Sequence, residues 1–185
     1  MKRYVCMLGV VLGFCLTAFA LPENDKPIPP SDPVDLDLPG ACSFPTNLVT
    51  NCGFETGTLA GWTQFGDTSF TGVGTGEIAY TGNFGVFAGP VSTLGGIFQM
   101  VPTTAGQTYA LTFALRNMGT PNELRVSWNG TVIYSCVNCP NFTYSIYGFN
   151  QLMATGSMSE VRFSFFNVPD YFYLDDVIVV PCDQE

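Results

Sequence analysis

The longest apolar run outside the N-terminus is YFYLDDVIVV, Tyr171 to Val180. Its Tyr, Phe, Ile and Val favour a pleated, packed surface, so the run predicts a strand. Counting by two puts Phe172, Leu174, Asp176, Ile178 and Val180 on one face. Tyr171, Tyr173, Asp175, Val177 and Val179 fall on the other. Both faces are largely apolar, which predicts cover on both sides. Two adjacent carboxylates nevertheless sit at its centre. Burying them unpaired costs too much, so Asp175 and Asp176 require a cation, a cluster of donors or a raised pKa. The chain has no His and 6 Lys plus Arg, which leaves a metal ion or backbone amides as the expected partners.

The same period of two recurs along the chain. In QTYALTFALRN, Tyr109, Leu111, Phe113 and Leu115 oppose Thr108, Ala110, Thr112, Ala114 and Arg116. In EVRFSFFN, Val161, Phe163 and Phe165 oppose Arg162, Ser164 and Phe166. Strands are predicted near 47–52, 62–66, 77–80, 84–88, 96–101, 107–116, 123–128, 131–135, 143–152, 159–167 and 171–180. No window of helical length carries a 3.6-residue period. Asn129-Gly130, after Trp128, reads as the primed turn of a tight hairpin. Many short strands punctuated by Gly, Asn, Thr and Pro predict an all-β fold, a two-sheet antiparallel jelly-roll sandwich.

Three regions differ in texture. Residues 1–20, MKRYVCMLGVVLGFCLTAFA, have the basic start, apolar run and Ala-Phe-Ala end of a secretory signal peptide. The run is short for a membrane span. Residues 21–41 are rich in Pro and Asp and read as an acidic linker or tail. Residues 42–185 form the predicted domain. Removal of the first segment leaves four of the six basic residues against all 15 acids, a net charge of −11. Such a chain repels phosphate backbones and anionic lipid, which argues against nucleic-acid partners and against membrane insertion after cleavage. It suits neutral ligands and cations in an extracellular setting. Of the 7 Cys, Cys6 and Cys15 lie in the signal-like segment, leaving an odd number in an oxidising compartment.

Three motifs in order, NLVTNCGFETGTLAGWTQ (47–64), TYALTFALRNMGTPNELRVSWNGT (108–131) and FSFFNVPDYFYLDDVIV (163–179), carry a resemblance. Together they resemble the galactose-binding-like jelly roll of carbohydrate-binding modules, notably families four, nine and twenty-two. The resemblance covers about residues 46–180. It implies that the opening and closing strands are neighbours and that a structural calcium sits where they meet. The positions it implies as ligands are Glu55 and Asp176, with backbone carbonyls; hydrogen bonding at a bulge is the competing role for the aspartates. Cys52, where the family usually has Gly or Pro, and the CVNC insertion depart from the pattern.

Cys136 and Cys139 lack the context of a redox or zinc motif and are expected to form a small loop disulfide. Cys42 and Cys182 flank the first and last strands, and antiparallel pairing of those strands brings them together. Cys42–Cys182 is therefore expected over Cys42–Cys52, with Cys52 reduced. Asn129-Gly-Thr131 and Asn141-Phe-Thr143 fit the N-glycosylation acceptor, which has meaning only in a eukaryotic source.

Trp62, Trp128, Tyr144, Tyr147, Phe166 and Tyr171 are candidates for a sugar-stacking platform, since rings bind sugar C–H faces. Most aromatics in so rich a chain belong to the core, Trp62 among them. Tyr144 and Tyr147 have opposite parity, so one strand face cannot present both. Arg116, Arg125 and Arg162 lie on polar sides, where they hold hydroxyls or pair with acids such as Glu123. Without His, the usual general base is missing. No paired carboxylates of a glycosidase are visible, and GVGTG at 72–76 lacks the helix of a phosphate loop. The expectation is a non-enzymatic, calcium-stabilised glycan-binding protein that uses Tyr144, Tyr147, Arg116 and Arg125; the alternative is a structural or adhesive sandwich.

Overall fold

The computed structural model of the chain describes residues 4–5 and 41–184. The signal-peptide and linker expectations therefore fall outside the described residues, apart from Tyr4, Val5 and Ala41. The strands are β1 (Tyr4–Val5), β2 (Thr63–Gly66), β3 (Thr71–Thr75), β4 (Phe84–Ala88), β5 (Gly95–Pro102) and β6 (Thr108–Asn117). There follow β7 (Asn122–Trp128), β8 (Thr131–Val137), β9 (Phe142–Met153), β10 (Met158–Asn167), β11 (Phe172–Pro181) and β12 (Asp183–Gln184). Two five-stranded sheets face each other, in the orders β2-β5-β10-β7-β8 and β3-β4-β11-β6-β9. Every pairing within them is antiparallel. β1 and β12 form a small separate pair.

Alternation builds the core. β10 sends Val161, Phe163 and Phe165 inward, each fully buried, and β6 sends Leu111, Phe113 and Leu115 to meet them. Phe113 packs edge-on against Phe163 with ring centroids 4.9 Å apart. Trp62 is core, as expected, lying 6.3 Å from Phe163 and 5.5 Å from Phe54. β11 is buried along Phe172–Val180, the two-sided cover that its composition predicts. Asn129 and Gly130 both have positive φ, 49° and 78°, so the primed turn between β7 and β8 is present.

Two predicted strands are absent, and besides the two-residue β1 and β12 one strand of the large sheets was missed. Residues 47–52 are not a strand, yet they hydrogen-bond to β11: Leu48 donates to the Val179 carbonyl, and Val177 donates to that of Cys52. The neighbour relation implied by the resemblance is thus kept without a regular ladder. Gln99 of β5 exchanges two hydrogen bonds with the Thr50 backbone, which fastens the same segment to the other sheet. Residues 77–80 form a 3-10 turn at Gly76–Ile78 rather than a strand. The missed strand is β3, whose glycines hide its pattern: a Cβ on Gly72 would lie 2.9 Å from the Phe87 ring, and one on Gly74 would lie 2.5 Å from Ile78 Cδ1.

The Cys42–Cys182 expectation is corrected. Cys42 pairs with Cys52, with Cα atoms 5.8 Å apart. The chain turns at 44–47, where Asn47 donates to the Phe44 carbonyl, and this doubles Cys42 back onto Cys52 instead of extending it along β11. Cys52 is therefore not reduced. Cys182 is disulfide-bonded, but not to Cys42. Cys136–Cys139 is present.

Candidate functional site

The outward face of the β3-β4-β11-β6-β9 sheet holds the chemistry. Strand register places Gly72, Phe87, Tyr173 and Arg116 side by side on four successive strands. The Phe87 ring covers Gly72 and meets Tyr171 edge-on at 5.6 Å. Tyr171 lies over Gly89, where a Cβ would be 2.9 Å from its ring, and stacks on Tyr173 at 6.4 Å. The Arg116 guanidinium sits 5.5 Å above the Tyr173 ring, which leaves that ring only 8% exposed. Phe70, 57% exposed, stands at the start of β3 with φ of 52° and accepts a hydrogen bond from Gly89.

One row further along the strands Gly74 lies opposite Gly85, and Asp175 lies opposite Ala114. These small positions make room for a strap, residues 76–84, that crosses the sheet. The Ile78 carbonyl would lie 2.2 Å from a Cβ on Gly85, so the strap rests directly on bare backbone. At its front, Arg116 pairs with the Glu77 carboxylate at 3.2 Å. Tyr144 packs against Tyr80 at 5.1 Å, and its hydroxyl donates to the Ile78 carbonyl. Burial and the nearby Asp175 charge push the Tyr144 phenol pKa up.

Behind the strap, β11 bulges between Asp175 and Ile178, with Asp176 in the left-handed region at φ 49°. Such a conformation is strained for a residue other than glycine, and it turns both carboxylates toward the strap. Asp175 accepts from the Tyr80 and Thr81 amides at 2.8 and 3.1 Å and from Asp176 N–H at 2.8 Å. Asp176 accepts from the Thr81 hydroxyl, 3.0 and 2.9 Å from its two oxygens. Its nearest sulfur, Cys42 Sγ at 3.6 Å, is disulfide-bonded and has no proton to give. Burial, then the charge of Asp176, raise the Asp175 pKa to about 7; burial also raises that of Asp176.

Asp175 and Asp176 supply the oxygens that a hard cation would meet here. Asp176 is 4% exposed and has one hydroxyl donor between two oxygens. A Cβ on Gly53 would lie 3.1 Å from Cys42 Sγ, 3.3 Å from Asp176 Oδ1 and 3.7 Å from Asp175 Oδ1, so a side chain there would crowd the disulfide and both carboxylates. Calcium completes its shell with carbonyls and water as well as acids. Among the described residues no group of three or more acids, cysteines or histidines that could hold a metal ion is present. Glu55 is directed elsewhere: Oε1 accepts from the Asn83 and Phe84 amides at 3.0 Å, and Oε2 accepts from Asn83 N and Nδ2 at 3.1 and 3.4 Å.

The four expected ligand-binding residues are divided by the fold. Arg116 and Tyr144 lie together on the outward face just described. Tyr147 points between the sheets, stacked on Phe113 at 5.4 Å and 5.3 Å from Tyr134. Arg125 is on the outward face of the other sheet, paired with Glu123 at 2.5 Å. There Arg162 pairs with Glu160 at 2.8 Å and lies between Phe65 and Phe98, 4.1 and 4.6 Å from their ring centres. Trp128 is buried and donates to the Met153 carbonyl. Asn129 is tied to Ser159 and Glu160 through both atoms of its amide, whereas Asn141 is exposed just before β9. Phe87, Tyr173, Glu77 and Tyr80 were not singled out from sequence. The parity of Tyr171 and Tyr173 was the signal available for one of them.

No family model and no curated protein matches the chain. Solved structures do. A family 61 carbohydrate-binding module in complex with β-1,4-galactotriose is 20% identical, with TM-score 0.59 over 73% of this chain and 98% of that one. A family 22 xylan-binding domain is 15% identical, with TM-score 0.55 over 74% and 96%. The enzymatically active domain of bacteriophage CBA120 tailspike protein 4 is 16% identical, with TM-score 0.58 over 74% of this chain but 21% of that one. Likeness at these identities is a likeness of fold. The chain has the two-sheet jelly-roll sandwich found in carbohydrate-binding modules.

Proposed function

We propose that the chain is a secreted, non-catalytic protein that binds neutral glycans on the outward face of the β3-β4-β11-β6-β9 sheet, with calcium beside Asp175 and Asp176. The observation that carries the reading is the row Phe87–Tyr173–Arg116, with Tyr171 beside it and the strap along one flank. The half-buried rings of Phe87 and Tyr171 present apolar faces to sugar C–H groups, and the Arg116 guanidinium above the buried Tyr173 has donors to spare for hydroxyls. Three strands spaced by about 4.8 Å give the row a length of roughly 10 Å, enough for about two sugar units lying across the strands. The acids around it disfavour anionic polymers. The galactotriose and xylan of the structural neighbours make neutral β-linked chains the first ligands to try.

The supports for a non-catalytic role are the absence of His from the chain and the engagement of the nearby acids. Glu77 is paired with Arg116, and Asp175 and Asp176 lie behind the strap. Calcium would neutralise the two buried aspartates; Asp176, Asp175 and the Thr81 hydroxyl are the groups that would hold it. Secretion rests on the character of residues 1–20.

The test is titration calorimetry with β-1,4-galactotriose and xylohexaose, and retention on neutral polysaccharide gels. Weak, salt-independent binding is expected, lost in Tyr171→Ala and Arg116→Ala. Failure of every neutral polysaccharide to retain the protein would leave the structural or adhesive reading in its place.

A further inference from the structure

We infer that Glu55, which lies off the aromatic row, is a positioning residue for it, acting through the strap rather than as a calcium ligand. The inference rests on the glycan reading above. Residues 76–84 meet the row at their front through Glu77 on Arg116, with Tyr80 packed on the neighbouring Tyr144. The far end of the same segment is held by Glu55, whose two oxygens take the Asn83 and Phe84 amides and the Asn83 side chain. A Cβ on Gly82 would lie 2.4 Å from Glu55 Oε1, so the carboxylate sits hard against the turn it caps. The Gly82 φ of 65° is the conformation that lets the chain reverse there.

The geometry separates this role from ligation of a cation. Donors already surround both Glu55 oxygens, whereas Asp176 has one hydroxyl. Glu55 caps the strap from its far end, and the aspartates lie behind it. A strap released from Glu55 keeps its ties to Asp175, Asp176 and Tyr144 but loses the one that fixes its return at Asn83 and Phe84. The slack so gained loosens the hold of Glu77 on Arg116 at the flank of the row.

The test uses Glu55→Ala, which removes the acceptors, and Glu55→Gln, whose amide oxygen can still take the Asn83 and Phe84 amides but which is a poor calcium ligand. Affinity for β-1,4-galactotriose and xylohexaose is measured with calcium and again with chelator. Amide exchange of residues 80–84 is followed without sugar, with the melting temperature recorded throughout. Glu55→Ala is expected to weaken sugar binding about fivefold or more, the scale of an ordinary coupling between sites. It should also speed exchange at Asn83 and Phe84, while Glu55→Gln stays near wild type in both, with and without calcium. Glu55→Asp, which retracts the carboxylate, replaces the Ala variant if the latter does not fold.

Wild-type binding with undiminished binding by Glu55→Ala overturns the positioning role and leaves the glycan reading intact. A Gln variant as weak as Ala, with a deficit that disappears in chelator, makes Glu55 a cation ligand and also overturns it. If wild type binds neither sugar, the glycan reading falls and the inference falls with it.

Discussion

In metal-free protein, Asp175 should make the fold less stable as the solution becomes less acid. Its pKa in the fold is about 7 against an ordinary 3.8, because burial and the Asp176 charge oppose ionisation more than three amide donors favour it. Between these two values the native chain keeps a proton that the unfolded chain has released. Stability is therefore full below about pH 4 and declines until the folded group has ionised near pH 7. At about 1.4 kcal/mol per pH unit, an interval of roughly three units corresponds to on the order of 4 kcal/mol. The assay is urea unfolding in chelator at steps from pH 4 to 8, comparing wild type with Asp175→Asn. Subtracting the two curves removes the other carboxylates, including Asp67 and Glu160, whose hydrogen bonds lower their pKa values and give the opposite slope at lower pH. At pH 4 the Asn variant should be the weaker by about 1–3 kcal/mol, since one amide oxygen cannot serve all three N–H groups. The advantage of wild type should shrink and reverse by pH 7.5. Parallel curves would refute the claim that this carboxylate is forced to hold a proton.

Three further outcomes follow from the same structure. Calcium should raise the melting temperature relative to chelator at pH 7.5, by the equivalent of about 2.7 kcal/mol at a hundred times Kd; coincident melts of metal-free protein remove the calcium proposal. Non-reducing peptide mapping should give Cys42–Cys52 and Cys136–Cys139, and breaking the former by Cys52→Ser should cost about 3 kcal/mol in the loop-entropy picture. Phe163→Ala, at a fully buried contact between the sheets, should cost about 3–5 kcal/mol by chemical denaturation, whereas Tyr144→Phe should leave the core intact and exert its effect on the strap it holds through Ile78.

The fold was legible wherever a strand buries one face. β6 and β10 could be read from alternation because Phe113, Phe163 and their neighbours enter one core. β3 could not, because its outward residues are Gly72 and Gly74 and the apolar cover is supplied by Phe87 and Ile78 from elsewhere. The aspartate pair announced a local problem, and amides proved to be one solution to it, at Asp175. The division of Arg116 from Arg125 between sheets was beyond sequence, since both occupy polar positions of alternating strands. The same holds for Glu55: its partners, 28 and 29 residues away, depend on where the strap lands. The disulfide error had a local cause, the turn at 44–47, which no pattern of apolar residues records.

β11 has two neighbours on one side, β4 at Phe172–Leu174 and the 47–52 segment from Val177 to Val179. Asn47, at the head of that segment, accepts from Val179 across 132 positions of sequence. One stretch of β11 thus serves both a regular ladder and an irregular seam, so a deletion that takes Val179 would undo the seam at both of its backbone contacts with Leu48 and Asn47.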